Sequence, residues 1–128
     1  MRFLLDTSAA IILRDSKSPL DAQLLRQASI PALSILTVVE LEGGVVAEAP
    51  LASIRRELLD RMLTQFPVLV FDAACAVAYR GIVETIGFSR PKLVDRMIAA
   101  TALVHGLSVI TSNPRDFRDV PGLSIETW

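Results

Sequence analysis

Short apolar runs alternate with longer amphipathic segments along the chain, and this alternation restricts the fold more than any other feature of the sequence. Runs of strand length separated by helical patterns predict parallel strands, because parallel neighbours must be joined by a long connection, usually a helix. Such sheets are buried on both faces. We therefore expect an α/β domain of three layers, with a four- or five-stranded, mostly parallel sheet between helices.

The bounds of these elements follow from apolar periodicity and from residues that stop a helix or strand. Strands are predicted at Arg2–Leu5, Ala32–Ile35, Val68–Phe71 and Ser108–Thr111, with a short fifth strand at Ser124–Thr127. Helices are predicted from a cap at Thr7 or Ser8 to about Arg14, and over Leu20–Ala28, Thr37–Ala47, Leu51–Gln65, Asp72–Ile86 and Pro91–His105. Pro91 suits the first position of its helix, and Gly87 and Gly106 suit the ends of the last two helices.

Composition narrows the class of protein. Of the 128 residues, 52% are hydrophobic and 21% charged, so residues 1–128 are expected to form one folded globular domain. The formal net charge of −1 gives no global basic field, and contact with nucleic acid must come from a local cluster. The single Cys75 excludes an internal disulfide and a Cys-based zinc site. It suits a reducing cytoplasm, where we expect this protein, since no apolar run has the length of a membrane span.

Four carboxylates are predicted to gather at one edge of the sheet. Asp6 directly follows the first strand, Asp116 follows the fourth, and Glu40 lies one turn into the helix after the second. Asp95 is the least expected, because on a helix it shares the apolar stripe of KLVDRMIAATALVHG. An unpartnered carboxylate in an apolar setting is unfavourable by roughly several kcal/mol. The carboxyl ends of parallel strands lie at a common edge, which is where ligands bind.

A divalent cation at this edge would offset both the repulsion among the acids and the burial of Asp95. Ligand sets of oxygen alone, without His or Cys, favour Mg²⁺ or Mn²⁺ over zinc. One or two such ions can activate a water molecule for phosphodiester hydrolysis. Four residues at the same edge carry hydroxyl or amide groups suited to orienting a carboxylate or a water: Thr7, Thr111, Ser112 and Asn113.

Glu40 and Glu42 are both candidates for the acidic residue in the helix that follows the second strand. On a helical wheel Glu40 lies beside three small residues, Thr37, Gly44 and Ala47. Small neighbours leave room for a metal ion, a water and a phosphate, whereas Glu42 lies close to the apolar side. We prefer Glu40 and keep Glu42 as the alternative.

Each acid also has a structural explanation. Asp6 and Asp116 suit helix caps, and Glu40 suits a solvated surface. Asp95 suits an ion pair, for which the neighbouring cations are Lys92, Arg90 and Arg96. The metal site is favoured because one hypothesis then accounts for all four carboxylates.

Three stretches, LLDTSAAI, SILTVVELEGGV and VDRMIAATALVHGLSVITSNPRDF, resemble those of PIN-domain ribonucleases, in particular VapC-type toxins of bacterial toxin–antitoxin pairs. The likeness runs in order and spacing from Phe3 to about Leu123. It implies a PIN-like domain and a Mg²⁺- or Mn²⁺-dependent endoribonuclease. It also implies that the chain forms a homodimer and is neutralised by a small antitoxin that blocks its cleft.

By this resemblance, the catalytic and metal-binding residues are the four acids Asp6, Glu40, Asp95 and Asp116. Thr111 and Asn113 would support them. Ser112 departs from the family, which commonly carries a basic residue between the Thr and the Asn, and this departure affects the expected contact with RNA. Three basic residues near the acidic edge are candidates for binding RNA phosphates, namely Arg14, Lys17 and Arg115.

Two residues are expected to be structural. His105, the single histidine, precedes Gly106 and suits the end of a helix, because no Ser or Cys nucleophile pattern accompanies it. Cys75 lies in the apolar stretch AACAVAY and is expected in the core.

The working hypothesis is an endoribonuclease toxin that cleaves RNA with a metal-activated water and is held inactive by its antitoxin. One alternative is a PIN-fold module that binds RNA or protein without cutting, against which stands the complete acidic set. A second alternative is a haloacid-dehalogenase-type phosphatase, because LLDTS also places Asp6 after the first strand. That family requires a second Asp where this chain has Ser8.

Overall fold

A five-stranded parallel sheet forms the centre of the protein, as described by a computed structural model of residues 2–15 and 29–128. The strands are β1 Phe3–Leu5, β2 Ala32–Ser34, β3 Val68–Leu69, β4 Ser108–Thr111 and β5 Ile125–Thr127. Their order across the sheet is β3-β2-β1-β4-β5, and every neighbouring pair is parallel. The predicted α/β class and the fifth strand are confirmed. The predicted helix over Leu20–Ala28 and the candidate Lys17 lie outside the described residues.

Five helices connect or flank the strands in the described residues. They are α1 Thr7–Asp15, α2 Ile35–Ala47, α3 Ala52–Gln65, α4 Ala73–Ile86 and α5 Leu93–His105, and short 3-10 turns cover Ala49–Leu51 and Pro114–Asp116. Most predicted bounds agree within two residues. The helix predicted to begin at Pro91 begins two residues later, because a turn closed by the Leu93 N–H to the Arg90 carbonyl at 3.2 Å precedes α5. Gly106 ends α5 as predicted, at φ 65°.

Two apolar layers lie on opposite faces of the sheet. In β1 the side chains of Phe3 and Leu5 pack against α1, α2 and α3, whereas Leu4 packs on the other face against α4 and α5. Alternate residues of a strand point to opposite faces, which is why one three-residue strand serves both layers. The three-layer prediction is thus confirmed.

The strand order creates a crevice at the centre of the sheet. From β1 the chain proceeds outward to β2 and then β3, and it returns to β4 on the other side of β1. Connections therefore leave β1 and β4 in opposite directions, which opens a gap beyond their carboxyl ends.

Within the described residues, no helix is long and apolar enough to cross a membrane.

Candidate functional site

Asp6 begins α1 at the carboxyl end of β1 and is the most buried of the four acids, with 3% exposure. Its Oδ1 accepts the backbone N–H of Ala9 at 2.8 Å, and its backbone carbonyl accepts that of Ala10 at 2.9 Å. A side chain that accepts this N–H is the N-cap of the helix. The predicted cap at Thr7 or Ser8 is therefore wrong, and Asp6 has the capping position that was its alternative explanation.

Hydroxyl groups from α1 and β4 hold the Asp6 carboxylate in place. Ser8 Oγ lies 2.7 and 2.9 Å from its two oxygens, and Thr111 Oγ1 donates to Oδ2. Ser8 Oγ also accepts the backbone N–H of Ser112 at 3.1 Å, and Thr111 Oγ1 accepts that of Asn113 at 2.9 Å. The loop after β4 is thereby tied to the first turn of α1 across the crevice.

Glu40 faces the same crevice from α2. Its Oε1 accepts the hydroxyl of Thr7, which lies 3.1 Å from the hydroxyl of Thr37. Glu42 points elsewhere, because Arg56 of α3 donates to both of its carboxylate oxygens at 2.5 and 3.1 Å. This pair lowers the pKa of Glu42. The geometry supports the choice of Glu40 over Glu42.

The Asp95 carboxyl is half-buried on the first turn of α5. Its pKa is raised to about 6, first by burial and then by the negative charges of Asp116, Asp6 and Glu40, whereas Lys92 lowers it. A carboxylate in such surroundings is disfavoured until it is protonated or meets a cation. After burial, the negative charges of the other three acids thus have the largest effects on the pKa of Asp95.

The cations predicted as partners of Asp95 are engaged elsewhere. Arg96 and Lys92 both lie near Asp119, at 3.2 and 3.8 Å, and Arg90 lies over an aromatic ring. Asp95 has no hydrogen bond or ion pair with any part of the chain that the structure describes. The ion-pair explanation for Asp95 is therefore not supported.

Asp116 ends the 3-10 turn that follows β4. It is half-buried, and its N–H donates to the Asn113 carbonyl at 3.0 Å. A cavity of about 320 Å³ opens beside it, lined by Ser112, Asn113, Pro114, Arg115, Asp116 and Arg118. Arg115, one of the RNA-binding candidates, is exposed here.

The four acids lie at one edge, but their carboxylates have not converged. Among residues 2–15 and 29–128, no three His, Cys, Asp or Glu side chains are close enough to hold an ion as they stand. Asp6 is buried and fixed by several hydrogen bonds, whereas Glu40 is exposed and is held by the hydroxyl of Thr7. The oxygen-only donor set fits a hard divalent cation, which Asp6 and the other three acids would hold.

Arg14 differs from Arg115, the other RNA-binding candidate that the structure describes, because it is buried within the fold. Its Nε donates to Asp15 at 2.8 Å, and its guanidinium lies close to Gly44 of α2. With 7% exposure it has little surface to offer a phosphate.

Two residues of the site were missed by sequence reasoning. Ser8 was considered only as a cap, yet its hydroxyl connects Asp6 to the loop after β4. Thr37 was treated only as a small neighbour, yet it is fully buried against Thr7. The spacing of Ser8, two residues after an acid at a strand end, is the signal that would have identified it.

Comparison with known families gives one match over most of the chain. The family model described as PIN domain matches residues 3–123. A protein named tRNA(fMet)-specific endonuclease VapC, from Shigella flexneri, is 30% identical to this chain, and the match covers 100% of this chain and 98% of the relative.

Comparison of structures gives the same result. DNA-bound VapBC from Salmonella typhimurium superposes with a TM-score of 0.87 at 26% identity, covering 100% of this chain and 98% of the other. A toxin–antitoxin complex from Klebsiella pneumoniae superposes with a TM-score of 0.66 at 25% identity, covering 94% and 93%. Both similarities extend over nearly the whole of each chain.

Proposed function

This chain belongs to the PIN domain family, and from its likeness to VapC ribonucleases we propose that it is a toxin that cleaves RNA and is neutralised by an antitoxin. Cleavage is proposed to be hydrolytic and dependent on Mg²⁺ or Mn²⁺. Asp6, Glu40, Asp95 and Asp116 are the proposed catalytic and metal-binding residues.

The observation that carries this proposal is the environment of Asp95. Three acids from three other segments raise the pKa of one half-buried carboxyl, and Lys92, the described cation that opposes them, has a weaker effect than any of the three. A fold that gathered these charges for stability alone would leave the repulsion uncompensated. Perturbed groups at the crevice of a parallel sheet are characteristic of functional sites.

The residues of the chain have distinct proposed tasks. Asp6 is a fixed carboxylate, because Ala9, Ser8 and Thr111 all donate to it. Asp95 and Asp116 face it from α5 and from the loop after β4. Glu40, exposed and held by Thr7, can move a proton or orient a water next to the scissile phosphate.

A divalent ion, when bound, supplies the positive charge that activates a water and stabilises the leaving oxygen. The side chains present fit such an ion, since all the candidate donors are oxygens and His105 and Cys75 are not among them. Thr111 orients the fixed carboxylate directly, because its hydroxyl donates to Asp6. Ser112 and Asn113 support it indirectly, because their N–H groups donate to the hydroxyls of Ser8 and Thr111. Arg115 is the proposed contact for an RNA phosphate.

The antitoxin and a second copy of the chain are the proposed protein partners. Five exposed apolar side chains on α1, α2 and α3 suit a protein partner, namely Ile11, Ile12, Val39, Val46 and Ile54. The proposed location is the cytoplasm, where the free thiol of Cys75 stays reduced.

The decisive experiment maps the ends of cleaved RNA. Purified protein, free of antitoxin, is incubated with a panel of RNAs that includes tRNA(fMet), because the name of the Shigella relative specifies that substrate. Hydrolysis by an activated water leaves a 5′-phosphate and a 3′-hydroxyl, stops with EDTA and returns with Mg²⁺ or Mn²⁺. His105→Ala serves as the active control, since metal-free ribonucleases generally rely on a group that titrates near neutrality.

Two results would contradict the proposal. Cleavage that persists in EDTA, or ends that carry a 2′,3′-cyclic phosphate, would exclude the proposed hydrolysis. RNA left intact across the panel would favour the non-cutting interaction module.

A further inference from the structure

Arg115 and Arg118 differ from the other described cations in having no ion-pair or aromatic partner among the residues that the structure describes. Seven arginines and lysines lie within ion-pair distance of a carboxylate, namely Arg14, Arg55, Arg56, Arg61, Arg80, Lys92 and Arg96. Arg2 and Arg90 lie over aromatic rings. Only Arg115 and Arg118, among residues 2–15 and 29–128, have neither kind of partner.

These two arginines line one cavity. The cavity measures about 320 Å³ and lies in the loop after β4. Arg115 directly precedes Asp116 in sequence, and Arg118 follows it by two residues. This volume is at the lower end of the sizes of ligand pockets. Asn113 also lines the cavity, and its side-chain amide has no hydrogen bond to any described residue. The cavity therefore offers two guanidinium groups and an amide to an anion.

Asp116 belongs both to this cavity and to the acidic edge. It lines the cavity, and its N–H donates to the carbonyl of Asn113 at 3.0 Å. The two residues before Asn113 hold the acidic edge, because Thr111 donates to Asp6 and the Ser112 N–H donates to Ser8. A ligand in the cavity would thus lie next to the group bound at the acidic edge. Two adjacent phosphates of a nucleic-acid strand also lie next to each other, so one strand could occupy both places.

We propose that the cavity lined by Ser112–Arg118 is a second phosphate-binding subsite, in which Arg115 and Arg118 bind the RNA phosphodiester adjacent to the one that is cleaved. The proposal rests on the ribonuclease function proposed above and adds Arg118 to its binding residues. Planar guanidinium groups donate two parallel hydrogen bonds to a phosphate, which suits a single occupant between two arginines.

The loop is rigid enough to present these side chains. The N–H groups of Phe117 and Arg118 donate to the Pro114 carbonyl at 3.0 and 3.1 Å. Phe117, which lies between the two arginines in sequence, is 1% exposed and packs in the core. The arginines are therefore carried on an anchored turn, which limits the entropy lost when a phosphate binds.

The test compares Arg118→Gln with a matched variant, Arg61→Gln, which removes the same charge from the exposed surface of α3. Binding of a fluorescent single-stranded RNA is measured by anisotropy at several salt concentrations, with Ca²⁺ in place of Mg²⁺ to slow cleavage. Removing one cation that neutralises a phosphate should make the negative slope of log K against log salt shallower by about 0.7. We expect this change, with roughly tenfold weaker binding, for Arg118→Gln and none for Arg61→Gln.

Kinetics provide the second measurement. A residue that binds a flanking phosphate and does not touch the reacting atoms should raise KM and leave kcat nearly unchanged. Arg118→Gln should also melt at the wild-type temperature, because its side chain is exposed and has no described partner. Arg118→Gln that binds RNA with the wild-type slope and affinity would overturn the subsite.

The outcomes separate this proposal from the proposed function. Slope changes that depend on Arg118 in a protein that binds RNA without cutting it would support the subsite and contradict the nuclease. A wild-type protein that binds no RNA would overturn both. If Arg118→Gln weakens only the complex with the antitoxin, the cavity holds an acidic side chain of a protein partner and the RNA subsite is wrong.

Discussion

Glu40 and Glu42 lie on the same helix, two residues apart, yet their surroundings differ completely. The hydroxyl of Thr7 donates to Glu40 at the acidic edge, and Arg56 neutralises Glu42 on the surface between α2 and α3. A carboxylate already paired with arginine is a poor metal ligand. The two residues therefore provide an internal control for the proposed metal site.

We predict that Glu40→Gln lowers kcat by at least about a hundredfold, the magnitude typical of a lost proton-transfer group. Glu42→Gln should leave cleavage and metal affinity at the wild-type level, because it removes only the pair with Arg56. Both are measured as initial rates at saturating Mg²⁺. Equal losses in the two variants would indicate a general effect of charge on α2.

Asp6 combines two tasks that substitution can separate. Its Oδ1 caps α1 by accepting the Ala9 N–H, and the same carboxylate is a proposed ligand. Asp6→Asn retains an oxygen for the cap, and its amide can donate to Thr111, whereas Asp6→Ala loses both. We predict that both variants are inactive but that only Asp6→Ala loses stability, by about 1 kcal/mol. Denaturant unfolding measures the difference, and equal stability of the two would show that the cap contributes little.

Asp95 should make the metal-free protein less stable as the pH rises. Its pKa is about 6 in the fold against 3.8 for an ordinary aspartate, so the folded state binds the proton more tightly than the unfolded state does. Its contribution to stability is complete below about pH 4 and is lost as the pH rises through about 6. A rise of the Asp95 pKa from 3.8 to about 6 corresponds to roughly 3 kcal/mol, which solvent screening of a half-buried group reduces to about 1–2 kcal/mol.

The prediction is that Asp95→Asn removes this decline. In EDTA, the melting temperature of the wild-type protein should fall by several degrees relative to Asp95→Asn between about pH 4.5 and 7. The lowered pKa values of Glu42 and Asp72 act below this range, in the opposite direction. Parallel melting curves against pH for the two proteins would contradict the raised pKa.

At the scale of elements, one buried arginine of α5 forms hydrogen bonds with two neighbouring segments, in addition to the apolar packing of the helix. Arg96 is 4% exposed, and it donates to the Gly87 carbonyl at the end of α4 at 2.7 Å and to Asp119 after β4 at 3.2 Å. The helix that carries Asp95 is thereby held to the loop that carries Asp116. Gly87 can end α4 in this position because glycine tolerates its φ of 85°, which is unfavourable for other residues.

Removing the carboxylate partner should leave the Arg96 charge buried with fewer acceptors. We predict that Asp119→Asn destabilises the protein by about 1–2 kcal/mol, because Gly87 still accepts from Arg96 while the ion pair is lost. Asp60→Asn, which breaks a surface pair with Arg56, is the matched control and should have little effect. Thermal unfolding at neutral pH distinguishes the two, and equal stability of both variants would mean that Arg96 needs no carboxylate.

At the scale of the whole molecule, the proposed metal site at the acidic edge would couple metal binding to folding. Four segments distant in sequence supply its acids, so the site exists only in the folded chain. A ligand that binds only the folded state stabilises it by about 2.7 kcal/mol at a concentration a hundredfold above its Kd. Metal should therefore affect the stability of the entire domain.

We predict that Mg²⁺ or Mn²⁺ raises the melting temperature of the wild-type protein by several degrees and that EDTA reverses the change. Asp95→Asn should melt higher than the wild type without metal and should lose most of the response to metal. Differential scanning calorimetry over a metal titration tests both points. A full metal response in Asp95→Asn would show that Asp95 is a structural residue.

The sequence by itself determined the features that depend on local pattern. Apolar periodicity predicted the parallel sheet and its layers, and Gly106 predicted the end of α5, because strand and helix periods and left-handed caps are properties of neighbouring residues. The apolar stripe around Asp95 marked that carboxyl as unusual before any partner was known. Local pattern misplaced the cap of α1 and the start of α5, where several residues were suitable and only one was used.

Tertiary structure decided the features that depend on which segments meet. Thr111 binds Asp6 across 105 residues of sequence because β4 pairs with β1, an adjacency that no local pattern encodes. The preference for Glu40 over Glu42 gained its support only with Arg56 in place on α3. Hydrogen bonds and ion pairs act over a few ångströms in space, so their partners are fixed by strand order and helix packing and not by position along the chain.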